Sequence, residues 1–149
     1  MEIEKKHYRK RLIDSTLNDY LQVAKAVLIV GPKWCGKTWT SFMHSNSVVS
    51  MMDSQARALA KIDPAVTLKG ESPRLIDEWQ VVPAIWDKIR LECDSDVKKG
   101  RFILTGSTTP LIQKEDDDDD EMPKHSGIGR IVTLRMSTMT LWEDRKSVV

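Results

Sequence analysis

The stretch Gly31–Thr38, which reads G-P-K-W-C-G-K-T, decides the fold of this 149-residue chain. It meets every fixed position of the pattern G-x-x-x-x-G-K-[ST], and the apolar run Ala26–Val30 comes immediately before it. Such a run is typical of a buried strand, and a helix is expected to follow. In a strand–loop–helix of this kind, glycines permit the close backbone path by which loop N–H groups turn inward around phosphates. The sequence therefore predicts a phosphate-binding loop.

The chemistry of the loop residues suggests their roles. Lys37 is expected to reach the β- and γ-phosphates of a nucleotide. Thr38 is expected to offer its hydroxyl to Mg²⁺, at the start of a helix whose N-terminus favours anions. A glycine-rich turn that binds nothing is the alternative. The residues predicted to contact the nucleotide are Gly31, Pro32, Lys33, Trp34, Cys35, Gly36, Lys37, Thr38 and Trp39.

A second predicted part of the site is an apolar strand that ends in two adjacent acids, Asp77 and Glu78. At the carboxyl end of a parallel strand both acids can face the crevice where ligands bind. Asp77 is predicted to hold Mg²⁺, directly or through water, together with Thr38. Glu78 is predicted to polarise the water that attacks the γ-phosphate. The alternative is a pair of solvated acids at a strand end.

Two further polar positions are candidates on less specific patterns. A strand that ends in Thr105-Gly106-Ser107 would present a hydroxyl to the attacking water, through Ser107 or Thr105, unless these residues only form a turn. Arg130 follows the glycine-containing segment 126–129 and begins a later strand. An arginine delivered by a neighbouring subunit can stabilise the charge of phosphoryl transfer. A surface salt bridge is the plain alternative for Arg130.

Short apolar runs that alternate with helical segments predict the architecture. The expected strands cover residues 26–30, 47–52, 74–78, 101–106 and 130–134. Strands separated by helices imply parallel pairing, with helices covering both faces of the sheet. We therefore predict an α/β fold, a three-layer P-loop nucleotide-binding core with a mainly parallel five-stranded sheet. The length suits one domain over 1–149.

Composition favours a soluble protein. Apolar residues make up 40% and charged residues 30% of the chain, which is ordinary for a globular domain. No apolar stretch approaches the length of a membrane span, and the charged N-terminus is not that of a signal peptide. A membrane partner is therefore not expected. Two cysteines, Cys35 and Cys93, are too few for a disulfide framework or a metal site, so a cytoplasmic location is expected.

Charge is unevenly distributed along the chain. Seven consecutive acids, Glu115–Glu121, predict a flexible acidic loop over 114–128, because like charges repel one another. Binding of a divalent metal or a basic partner by this run is the less favoured alternative. Basic residues are concentrated at positions 5–11. A solvated first helix is the favoured interpretation, and contact with nucleic acid is the alternative.

The order of these motifs resembles a group of prokaryotic AAA-type P-loop ATPases, in which an N-terminal ATPase domain precedes a C-terminal domain of unknown function. The resemblance extends over nearly the whole chain. Its motifs are Tyr8-Arg9, Asp14, the loop at 31–38, Asp53, L-I-D-E-W-Q-V-V-P at 75–83, R-F-I-L-T-G-S at 101–107, G-R-I at 129–131 and the 134–143 stretch.

The resemblance implies ATP and Mg²⁺ as ligands and assigns roles by position. Lys37 and Thr38 match the Walker A residues, and Asp77 and Glu78 match the Walker B acids. Ser107 matches the sensor and Arg130 the candidate arginine finger. The chain departs from the family at position 79, where Trp79 stands between Glu78 and Gln80 in place of the usual Ile or Val. It also ends without the helical lid or the C-terminal domain. It is therefore expected to be a fragment of a longer protein.

The function that these features predict is an ATP-binding domain with Mg²⁺-dependent ATP hydrolysis, with ATP and ADP as ligands and homo-oligomers as a possible assembly. The alternative is a nucleotide-dependent binding or switch module with little or no hydrolysis. A small-molecule or nucleoside kinase is less favoured, because the 108–128 segment is acidic rather than an arginine-rich lid. No N-K-x-D string is present, which disfavours a GTPase. The choice of ATP over GTP rests on the resemblance.

Overall fold

The computed structural model describes residues 13–32, 36–107 and 131–136, and the structural statements below concern these residues. The elements in chain order are α1 (Ile13–Val23), β1 (Ala26–Gly31), α2 (Lys37–Met43), β2 (Ser47–Ser50), α3 (Ser54–Ile62), α4 (Pro64–Thr67), β3 (Arg74–Asp77), a 3₁₀ turn (Trp79–Val81), α5 (Ala84–Ser95), β4 (Phe102–Ser107) and β5 (Ile131–Arg135).

The five strands form one sheet in the order β2-β3-β4-β1-β5. Each pairing in the sheet is parallel. Strand β4 therefore lies between β1, which leads into the predicted phosphate loop, and β3, which carries the predicted acid pair. The register places Gly31 opposite Ser107 and Ser50 opposite Asp77, so four strands end along one edge of the sheet.

Successive residues of the central strands point to opposite faces of the sheet, as the pleat requires. One face is covered by α3, α4, α5 and the 3₁₀ turn, and its buried strand residues include Leu28, Val30, Ile76, Phe102 and Leu104. The other face is covered by α1 and α2, and its buried strand residues include Val27, Ile29, Leu75, Ile103 and Leu134. The predicted three-layer α/β core with a mainly parallel five-stranded sheet is confirmed.

Several strand boundaries differ from those that the sequence predicted. Strand β2 ends at Ser50, and Met51 and Met52 form a turn instead of extending the strand. Asp63 both ends α3 and begins α4, where its side chain accepts a hydrogen bond from the backbone N–H of Ala65. Pro64 then occupies the first position of α4, which tolerates its missing N–H. No helix within the described part of the chain is long and apolar enough to cross a membrane.

Candidate functional site

The carboxyl edge of the sheet brings together residues that are far apart in sequence. β1 ends at Gly31 beside the end of β4, and β3 ends at Asp77 beside the end of β2. α2 begins directly over this edge, because Gly36 takes a left-handed backbone with φ of 94° and turns the chain into the helix. A residue with a Cβ adopts that conformation only at a steric cost. The geometry explains why the second glycine of the motif precedes Lys37.

Lys37 is buried at the start of α2, with 6% of its surface exposed. Its ammonium donates hydrogen bonds to the carbonyl oxygens of Gly31 and Pro32, both at 2.9 Å. The positive charge is thereby held at the end of β1, inside the loop that the sequence predicts to surround phosphates. These two acceptors are neutral carbonyls, so they orient the ammonium as an acid would but carry no opposing charge.

Three hydroxyls converge on the carboxylate of Asp77, whose residue is only 8% exposed. Thr38 Oγ1 and Thr105 Oγ1 donate to Asp77 Oδ1 at 2.9 and 2.7 Å. Ser50 Oγ donates to Oδ2 of the same carboxylate at 3.1 Å. Hydrogen bonds to an ionised group are the strong ones, and here they fix the position of the carboxylate. Thr38 and Asp77, which the sequence predicts to share a metal ion, are therefore direct neighbours.

Two of these hydroxyls were not assigned their observed roles by sequence reasoning. Ser50 lies inside the longer strand predicted over 47–52. The signal that identifies it is a polar residue at the carboxyl end of a strand next to the acidic one. Thr105 was considered as a donor to the attacking water, but it is fully buried and contacts Asp77 and the backbone of Glu78 instead.

Glu78 follows β3 in a left-handed backbone conformation, with φ of 56° and ψ of 50°. A non-glycine residue adopts this region at some energetic cost, and such residues concentrate at functional sites. The turn ends the strand, so the alternation that would separate Asp77 and Glu78 onto opposite faces stops here. The backbone N–H of Glu78 donates to Thr105 Oγ1 at 3.0 Å, which fixes the turn to β4.

The side chain of Glu78 is held by the residue two positions further on. Gln80 Nε2 donates to Glu78 Oε2. Gln80 belongs to the 3₁₀ turn, whose Trp79 packs against Trp86 of α5 with ring centroids 5.0 Å apart. Sequence reasoning noted Gln80 as part of the family motif but gave it no role.

A polar contact between helices supports α2 from its C-terminal side. His44, which follows α2, contacts Asp14 of α1 through Nε2 at 2.8 Å and Asn18 through Nδ1 at 3.0 Å. Asp14 is buried, and it is one of the residues that carried the family resemblance. Asp53, another such residue, caps α3 by accepting the N–H of Gln55 at 3.3 Å. Both aspartates thus have contacts that build the fold.

Several predicted site residues lie outside the described part of the chain. These are Lys33, Trp34 and Cys35 of the loop, Arg130, the acidic run and the side chain of Ser107. Of the predicted nucleotide contacts that are described, Gly31 is buried, Pro32 and Thr38 are exposed, and Trp39 is 47% exposed beside the loop.

Thr105→Val should destabilise the fold by about 1–3 kcal/mol, because the substitution keeps the shape but removes a donor to Asp77 and an acceptor for the Glu78 N–H. Urea unfolding followed by circular dichroism measures this difference. Thr133→Val, at an exposed position of β5, is the matched control and should change stability by less than about 0.5 kcal/mol. Equal stabilities of the two variants would contradict the proposed bridging role of Thr105.

The donors assembled here are suited to a hard cation and a phosphate. Across residues 13–32, 36–107 and 131–136, no three histidine, cysteine or acidic side chains form a metal cluster of their own. One carboxylate with a neighbouring hydroxyl instead matches the way proteins hold Mg²⁺, which keeps several waters and takes other oxygens from substrate phosphates. Thr38, Asp77 and the Lys37 ammonium therefore fit a Mg²⁺–nucleotide complex.

Comparison with known families agrees with the fold and the motif order. A family model described as an AAA domain matches residues 23–143. The chain belongs to the AAA domain family, and the resemblance predicted from its motifs is confirmed at that level. Membership supports a nucleotide-binding function of the ATPase type.

Two curated proteins are similar to this chain. They are uncharacterized proteins of Mycobacterium tuberculosis (strain ATCC 25618 / H37Rv) and Mycobacterium bovis (strain ATCC BAA-935 / AF2122/97), each 29% identical over 125 residues. The alignment covers 81% of this chain but 27% of each relative. The chain thus corresponds to a minor part of these longer proteins.

Proposed function

We propose that this chain binds ATP with Mg²⁺ at the carboxyl edge of its sheet and hydrolyses it to ADP and phosphate. The observation that carries the proposal is the 2.9 Å hydrogen bond from Thr38 to Asp77. It joins the end of the predicted phosphate loop to the predicted acid pair across an intervening strand. Lys37, the residue before Thr38, is buried, and its ammonium supplies the positive charge that phosphates require.

In the proposed reaction the chain's own groups divide the work between binding and proton transfer. Lys37 exchanges its hydrogen bonds with loop carbonyls for contacts with the β- and γ-phosphates. Glu78 accepts a proton from the water whose oxygen bonds to the γ-phosphorus, while the bond from that phosphorus to the bridging oxygen of ADP breaks. Thr38 and Asp77 would hold Mg²⁺, which would neutralise part of the phosphate charge.

Asp77→Asn should raise the Mg²⁺ concentration needed for half-maximal ATP hydrolysis by about tenfold or more, since a neutral amide is a weaker ligand than a carboxylate. The measurement is phosphate release at fixed ATP over a series of Mg²⁺ concentrations. Asp87→Asn, an exposed acid on α5, is the control and should leave the Mg²⁺ requirement unchanged. A Mg²⁺ requirement unaltered in Asp77→Asn would remove Asp77 from the metal site.

We further propose that Arg130 of a second copy of the chain stabilises the charge of phosphoryl transfer. If this holds, specific activity rises with protein concentration, because the complete site then needs two chains. Mixing Arg130→Ala chains with Lys37→Ala chains should restore part of the lost activity, since one contributes an intact loop and the other an intact arginine. Activity that is independent of concentration and shows no rescue on mixing would leave Arg130 a structural role.

Hydrolysis, rather than binding alone, is the part of the proposal that Glu78 supports. A switch module needs the loop, Lys37 and the metal ligands, but it has no use for a carboxylate placed in a strained turn beside them. Mg·ATP binding without phosphate release from the purified chain would replace the proposal with the binding-module alternative.

A further inference from the structure

We propose that Gln80 is the positioning residue for Glu78, holding that carboxylate in the orientation from which it accepts the proton of water. This role rests on the proposed ATP hydrolysis. Its structural basis is the hydrogen bond from Gln80 Nε2 to Glu78 Oε2. An ionised carboxylate only accepts hydrogen bonds, so the amide nitrogen, and not its oxygen, must face Glu78.

When the amide nitrogen of Gln80 donates to Glu78, the amide oxygen of Gln80 is left without a hydrogen-bond donor. Gln80 Oε1 is buried and has no hydrogen-bond partner among the described residues. A buried acceptor without a donor destabilises the fold, because it has lost its hydrogen bond to water and gained none in return. A residue chosen for stability alone would avoid that cost, because an apolar side chain of similar length has no such atom. The contact is therefore better explained by what it does to Glu78 than by what it adds to the fold.

The surroundings of Gln80 keep its side chain in place. A Cβ added to Gly106, at the end of β4, would lie 3.1 Å from both Gln80 Oε1 and Trp79 Nε1. The absence of a side chain at Gly106 thus lets the 3₁₀ turn pack directly on the strand. Trp79 in turn packs against Trp86 of α5. These contacts hold the amide at the surface of β4, two residues from the carboxylate to which it donates.

Contacts of both its backbone and its side chain hold Glu78. Thr105 Oγ1 accepts a hydrogen bond from the Glu78 backbone N–H at 3.0 Å, and Gln80 restrains the Glu78 carboxylate by donating to one lone pair of Oε2. Proton transfer uses a different lone pair of the carboxylate, so the amide orients the base without blocking it. A base that is held in place before the reaction avoids the loss of rate that a misplaced group causes.

The test is Gln80→Met, which has nearly the same length but donates no hydrogen bond and has no buried amide oxygen. We expect kcat for ATP hydrolysis to fall about tenfold or more, with the KM for Mg·ATP within about twofold of the unmodified chain. The midpoint of urea unfolding should stay the same or rise, because the unsatisfied oxygen is gone. Gln55→Met, at an exposed position of α3, is the matched control and should leave all three measurements unchanged.

A double-mutant cycle shows whether Gln80 acts through Glu78. In a Glu78→Gln background, Gln80→Met should have no further effect on kcat, since the base that it positions is already absent. An undiminished kcat in the single variant, or the same fold-loss in both backgrounds, would overturn the positioning role while leaving ATP hydrolysis intact. If the unmodified chain binds Mg·ATP but releases no phosphate, the proposed hydrolysis itself fails and the role of Gln80 falls with it.

Discussion

Glu78→Gln is expected to lower ATP turnover by about 10²-fold or more while leaving the affinity for Mg·ATP nearly unchanged. The amide keeps the size of the side chain but cannot accept a proton from water. Glu78 lies immediately after Asp77 in a left-handed turn that is anchored to Thr105, so the substitution need not move Asp77, the proposed metal ligand. Phosphate release and the binding of a fluorescent ATP analogue measure the two effects separately.

The control for this variant is Glu71→Gln, an exposed glutamate preceding β3, which should behave as the unmodified chain. Parallel losses of binding and turnover in Glu78→Gln would mean that Glu78 serves the metal or the fold instead of proton transfer. The assay thus distinguishes the two roles that adjacent acids at a strand end can have.

Lys37→Met is expected to weaken Mg·ATP binding by about tenfold or more, because it removes a charge-assisted contact worth roughly 1.5–3 kcal/mol. Methionine retains much of the apolar stem of lysine, so the change is confined mainly to the ammonium. The half-exposed Trp39 lies two residues further on, and its fluorescence during an ATP titration provides the readout. Turnover at subsaturating ATP should fall at least in proportion.

Lys37→Met also removes two hydrogen bonds to the carbonyls of Gly31 and Pro32. Its folding must therefore be established by circular dichroism before the titration. Lys61→Met, in the last turn of α3, is the control for loss of a lysine charge. Unchanged ATP affinity in a folded Lys37→Met chain would exclude the loop as the phosphate site.

Much of the fold was predictable because its signals are local. The apolar runs at β1, β3 and β4 are short and continuous, as expected for strands buried on both faces. The ends of strands were less predictable, since Met51 is apolar and fully buried yet lies in the turn after β2. Hydrophobicity indicates which residues are buried, and a buried residue can lie beyond the last backbone hydrogen bond of a strand.

The candidate site was predictable as far as sequence motifs extend. The motifs alone single out four residues: Lys37, Thr38, Asp77 and Glu78. The structure places Thr38 next to Asp77, and the roles of all four stay predictions. The contacts of Ser50 and Thr105 with Asp77 were not predictable, because each depends on which strand lies beside which. The contact of Gln80 with Glu78 is local, but it depends on the left-handed turn at Glu78, which no motif predicts. A serine at the end of β2 becomes informative only once β2 is known to pair with β3.

The strand order has a consequence for how this chain acquires its site. β1 and β3 do not pair with each other, because β4 lies between them and follows both in the sequence. Neighbouring strands are about 4.8 Å apart, so the gap between β1 and β3 is about twice that distance. A growing chain that has not yet produced residue 107 therefore lacks the strand that fixes this gap. We expect the contact between Thr38 and Asp77 to form late in folding, after a long-range pairing that closes slowly. ATP binding would then report the insertion of β4 between β1 and β3, and it would be absent from any nascent chain that ends before β4.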